Sequence, residues 1–100
     1  RSFDGLMDRA IPKAERDEIV TVLEQVKSIG GDYHRLRTRA AGPVSFVDVH
    51  VLVPGTMSVL DGHDLVEKLE NEIRNKVPHV EVLTHLEPME DPRSWEEGKA

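Results

Sequence analysis

Between residues 44 and 53 the chain reads VSFVDVHVLV, with valine recurring at 47, 49, 51 and 53. Side chains at period two share one face of an extended chain, so this stretch predicts a strand with its valine face buried. Phe46, Asp48, His50 and Leu52 fall on the opposite face. A histidine in mid-strand, facing away from four valines, is either solvated or part of a site. That choice governs the functional reading.

The flanking segments follow from the same kind of pattern. Residues 1–11 (RSFDGLMDRAI) read either as a frayed end or as a connector from something upstream. Pro12 suits the start of a helix, and Glu15, Asp17 and Glu18 follow near the positive end of its dipole. Ile19, Val22, Leu23, Val26 and Ile29 form one helical stripe, and Gly30-Gly31 ends it. Residues 32–40 alternate as a strand, with Arg35, Arg37 and Arg39 on one side and Leu36 and Thr38 on the other. Ala41-Gly42-Pro43 turns this strand into the valine strand, which makes an antiparallel hairpin that Pro54-Gly55 closes.

Ser58 is a helix N-cap with Asp61 three residues on, and Leu65, Val66, Leu69, Ile73 and Val77 supply the apolar stripe of a second helix. Glu70–Arg74 and Glu72–Lys76 are expected as i,i+4 pairs on its wet face. Pro78 stops the helix, and residues 79–87 (HVEVLTHLE) alternate as a third strand. Residues 89–100 read as a polar, mobile tail in which Trp95 can dock. The predicted fold is therefore α+β, an α-β-β-α-β sandwich: a three-stranded mixed sheet with two helices on one face. The second strand is central, and the β-α-β unit of strand two, helix two and strand three makes those two strands parallel. The other sheet face is left open for dimerisation.

Bulk properties bound the function. The 100 residues suit one domain, and only 4% are aromatic, so the core must be aliphatic. Nineteen carboxylates against thirteen Lys and Arg argue against nucleic-acid binding and suit cationic partners, metal ions included. There is no cysteine, which removes thiolate metal sites and cysteine nucleophiles together. No apolar run is long enough to span a membrane.

Five histidines carry the remaining chemistry. An antiparallel hairpin about Gly42 sets His34 opposite His50. A parallel third strand brings His85 and Glu87 to the same sheet end, and the loop leaving that end enters the helix bearing His63. His34, His50, His63, His85 and Glu87 thus converge on one edge, while His79 lies at the other. Imidazoles with a carboxylate suit zinc and related divalent ions, in one closed site or two sharing a bridging carboxylate. Asp48 and Asp64 are placed to orient the imidazoles. One conflict stands: if Leu36 faces the core, strict alternation turns His34 to the core as well. A bulge, or a strand starting after His34, would remove it. The competing reading is a dimeric interaction module whose histidines are incidental. A metal-dependent hydrolase lacks a convincing pocket and a positioned base.

The motifs LMDRAIP, YHRLRTRAAGP, VDVHVLVPG, SVLDGHDLVEKLENEI and VLTHLEP, in that order from Leu6 to Pro88, resemble the cytoplasmic C-terminal domain of cation diffusion facilitator transporters. The resemblance implies a ferredoxin-like, metallochaperone-like domain at 12–88 that forms a homodimer below the transmembrane domain of the same transporter. On that reading residues 1–11 are the connector from the membrane. It implies divalent metal, with zinc first and iron, manganese, cobalt or cadmium as alternatives, held near the dimer interface to stabilise the transport-competent dimer. It also implies that the domain is not an enzyme. By motif it carries the ligand role to His34, His50, His63, His85 and Glu87. The last of these stands where the family often has the shorter Asp.

Overall fold

The computed structural model describes residues 9–96, so most of the expected connector and the last four residues lie outside the described residues. Helix α1 spans Lys13–Glu24, with Pro12 at its N-cap in an extended conformation. A 3₁₀ turn, Gln25–Ile29, then tightens the chain into Gly30, whose φ of 80° is left-handed and favours glycine. Strands β1 (Asp32–Ala41) and β2 (Val44–Val53) form the hairpin about Gly42. Helix α2 spans Val59–Lys76, and β3 spans Val80–Pro88. Ser58 caps α2 as expected, its Oγ accepting from the Asp61 backbone N–H at 3.0 Å.

The sheet order is β1-β2-β3, with β1 antiparallel and β3 parallel to the central β2. Both helices cover the valine face. Val47, Val49, Val51 and Val53 join Ile19, Val22, Leu23 and Val26 from the α1 side and Leu69, Ile73 and Val77 from the α2 side in one buried core. Each such side chain contributes about 1.5–3 kcal/mol by leaving water, which is how an aliphatic core of this size can hold the domain. Polar ties pin the layers. Thr84 Oγ1 donates to Glu70 across α2 and β3 at 2.6 Å, and Ser45 Oγ donates to Glu15 across β2 and α1 at 3.0 Å.

Several expectations change in detail. Ile29, assigned to the buried stripe of the first helix, is 47% exposed, because the 3₁₀ turn rotates it off the α-helical face. Lys76 reaches Glu18 on α1 at 3.2 Å rather than Glu72, which accepts from Gln25 Nε2 at 2.6 Å. Of the expected connector, Arg9 pairs with Ala40 as an isolated bridge beside β1, and Ile11 is buried in the core. The segment after β3, expected as a mobile tail, folds back instead. Met89 N–H donates to Val53 O at 2.8 Å, and a 3₁₀ turn follows at Pro92–Trp95.

The parity conflict in β1 is resolved by a bulge. Asp32, Tyr33 and His34 pair with Leu52, Val51 and His50, whereas Arg37 and Thr38 pair with Asp48 and Val47. Arg35 and Leu36 therefore stand against Val49 alone, and Arg35 takes a left-handed φ of 54°. The extra residue lets Leu36 pack on the core while His34 turns to the opposite face. It also removes Arg35 from the expected row with Arg37 and Arg39.

Candidate metal centre

The face of the sheet away from the helices carries Phe46, Asp48, His50 and Leu52 from β2, and Leu83, His85 and Glu87 from β3. Its two ends differ. At the Arg39 end the face is an open, shallow hollow, where the Arg39 guanidinium stacks on Phe46 at 4.0 Å. At the other end His50 is only 4% exposed.

Register brings the histidines together there. His50 is the direct partner of His34 on one side and of His85 on the other. The His34 and His50 rings meet edge-on with centroids 5.5 Å apart, and His50 stacks on His85 at 4.5 Å. Two overlapping sets of donor atoms result. His34, His50 and Glu87 form one, and Asp48, His50 and His85 the other, with the atoms of each set within 4.8 Å of one another.

The first set has an unusual property. His34 Nε2, His50 Nδ1 and Glu87 Oε1 are all buried and make no hydrogen bond. His50 Nδ1 does lie 3.2 Å from the other Glu87 oxygen, Oε2, close enough for attraction but not aligned as a hydrogen bond. Burying a polar atom without a partner is costly, and a cation held by these three residues is what would satisfy such atoms. Burial pushes the His50 pKa below its ordinary value. The neighbouring His85, His34 and Arg35 push the same way, against an upward pull from Glu87. The ring is thereby held neutral, the form that ligates a metal. Two imidazole nitrogens and a carboxylate oxygen fit zinc and similar borderline ions.

The second set is more open. His85 Nε2 lies 3.1 Å from Asp48 Oδ1, with both side chains partly exposed. Asp48 therefore touches His85 directly. His63 joins neither set among the described residues. It is exposed on α2 beside Gly62, which packs against Leu86 on the helix side of β3. His79 lies at the far end, before β3, as expected. Sequence reasoning allowed Trp95 to dock but did not say where: its indole meets the His34 ring edge-on at 4.9 Å. The available signal was Asp91-Pro92, a start for a short helical turn in a segment read as a mobile tail.

Residues 11–89 match the family described as cation efflux protein, cytoplasmic domain. The chain belongs to this family. A relative called an uncharacterised transporter in Synechocystis is 42% identical over 95% of the chain and 31% of its own length. The cation-efflux pump FieF of Salmonella arizonae is 34% identical over 87% of the chain and 29% of its own length. The chain thus spans about three-tenths of the curated relatives it matches. Among solved structures, the metal-bound C-terminal domain of CzcD from Thermotoga maritima has a TM-score of 0.70 and 30% identity, covering 82% of this chain and 99% of that one. The Zn form of CzrB has a TM-score of 0.69 and 32% identity, covering 82% and 93%. The cation efflux domain accordingly has the ferredoxin-like fold of these neighbours, and its family is one of cation transport. No described helix is long and apolar enough to cross a membrane.

Proposed function

We propose that this cation efflux domain binds a divalent cation, zinc in the first instance, through His34, His50 and Glu87, with His85 beside them. Binding at the contact between two copies stabilises the transport-competent dimer of the transporter to which the domain belongs. The observation that carries the reading is the three buried donor atoms without hydrogen-bond partners, which converge where the sheet register sets His34, His50 and His85 side by side. The metal-bound and Zn-form neighbours support the same chemistry.

His63, exposed and apart from the cluster in one chain, reaches an ion through a second copy. The open sheet face beyond the cluster is the surface on which that copy packs. Metal then acts by binding the tight dimer better than the open one, since an ion with equal affinity for both would shift nothing. The domain regulates transport and has no catalytic role.

Zinc calorimetry with light scattering tests the reading on the 100-residue chain and on the His50→Ala, His85→Ala double variant. Zinc binding by the parent that is lost in the variant, with zinc-dependent tightening of the parent dimer, supports it. Equal binding by both proteins places the ion elsewhere and sinks it. A dimer indifferent to zinc removes the regulatory half and leaves a metal-independent interaction module.

A further inference from the structure

Leu52 lies on the histidine face, since it alternates with the core residues Val51 and Val53, yet it is completely buried. Further along the same face Leu83 is 56% exposed. The chain that follows β3 is bonded back to the Leu52 end of the sheet. Met89 N–H bonds to the end of β2, and the Gly55 N–H donates to Glu90 Oε1 at 2.8 Å. Ser94, only 4% exposed, donates through Oγ to Pro88 O at 2.7 Å. Trp95 Nε1 donates to Met89 O at 2.8 Å. Residues 89–96 thus form a strap tied to the ends of both β2 and β3.

The strap brings one side chain to the histidines. The Trp95 indole meets the His34 ring at 4.9 Å, and the other neighbour of that ring is His50 at 5.5 Å. His34 is therefore held between the indole and the second imidazole, with its Nε2 buried among the His50 and Glu87 donor atoms. The indole is itself oriented by its bond to Met89 O, and it is 46% exposed, so it forms an outer wall. An aromatic contact of this kind restricts ring rotation and keeps water from one side of the donor.

We propose that the strap is a latch on the metal centre, with Trp95 as a positioning residue that holds His34 in its ligating rotamer and slows release of the ion. The inference rests on the metal reading above and adds to it a determinant outside the ligand set. Loss of outer partners of a ligating histidine typically costs about 10–100-fold in metal affinity. For Trp95→Ala the expected effect is about tenfold, carried mainly by faster release.

The test uses the 100-residue chain, with Zn²⁺ alone as the probe. Trp95 is its single tryptophan, so indole emission reports on the strap without ambiguity. Emission should change in step with zinc binding measured by calorimetry. In a chelator chase, Trp95→Ala should release zinc about tenfold faster, and Trp95→Phe should restore the parental rate. Ser94→Ala, which loosens the strap without touching His34, should fall between them. Apo melting curves identify any variant that fails to fold, in which case the emission change and the Ser94→Ala rate still decide. Parental release rates in folded Trp95→Ala, or emission indifferent to zinc, would overturn the latch while His50-dependent binding left the metal reading standing. Absence of zinc binding by the parent overturns both.

Discussion

The bulge in β1 decides which way His34 faces, and register arithmetic makes its role testable. Between His34 and Arg37 two residues stand against Val49. Deleting Arg35 leaves one against one, so pairing becomes continuous with His34 still opposite His50 and Leu36 still toward the core. The deletion also removes a left-handed non-glycine residue, a conformation that costs roughly 1–2 kcal/mol. Stability should rise by about 1 kcal/mol, or roughly 4–8 °C in melting temperature for a domain of this size. Zinc affinity should stay within a few-fold of the parent.

Deleting Arg35 and Leu36 together makes the opposite prediction. His34 would then stand against Val49 and turn to the valine face. The variant loses the partly buried Leu36, about 2 kcal/mol, and places an imidazole among valines at a further cost of about 1–3 kcal/mol. It should be destabilised by about 3–5 kcal/mol and should lose zinc binding where it still folds. Thermal melting with calorimetric zinc titration reads both quantities. A folded single-deletion protein that loses more than tenfold in zinc affinity, or a double deletion that keeps it, would refute the assignment.

Two further outcomes follow from local geometry. Burial and the Glu24 carboxylate that accepts its hydroxyl push the single tyrosine, Tyr33, up to about 12. A raised folded-state pKa stabilises below the unfolded value near 10 and loses that contribution as pH climbs toward about 12. Ultraviolet titration should therefore place the tyrosinate transition well above 10, and Glu24→Gln should lower it; a midpoint at 10 in the folded parent would contradict the contact. A Cβ on Gly31 would lie 2.7 Å from Leu52 O and 3.1 Å from Val26 O, both backbone atoms. Gly31→Ala should cost about 1–3 kcal/mol, so a melting temperature within 2 °C of the parent would show that the turn yields easily.

Much of this arrangement is legible in the residues because strong local signals agree. The valine period, the Gly42 turn and the breaks at Pro54 and Pro78 suffice to order the elements. Counting back from Gly42 then sets His34 beside His50. The bulge is less visible. Its left-handed position is held by Arg35, where a glycine would have announced it, and only the clash between Leu36 and His34 hints that one residue must be absorbed. The strap escapes notice because its polar composition reads as a tail. What holds it is a set of side-chain-to-backbone hydrogen bonds from Ser94 and Trp95, which carry no periodicity. His63 stands in a family motif but apart from the other candidate ligands, since the helix that carries it turns Gly62, not the imidazole, toward Leu86.

The central claim is that a divalent ion sits among His34, His50 and Glu87. Anomalous diffraction at the zinc edge, from crystals of the 100-residue chain grown with zinc, tests it most directly. The account predicts a peak about 2.0–2.2 Å from His34 Nε2, His50 Nδ1 and a Glu87 carboxylate oxygen. A zinc peak bound only elsewhere on the domain, with these three atoms still facing one another unoccupied, would contradict it.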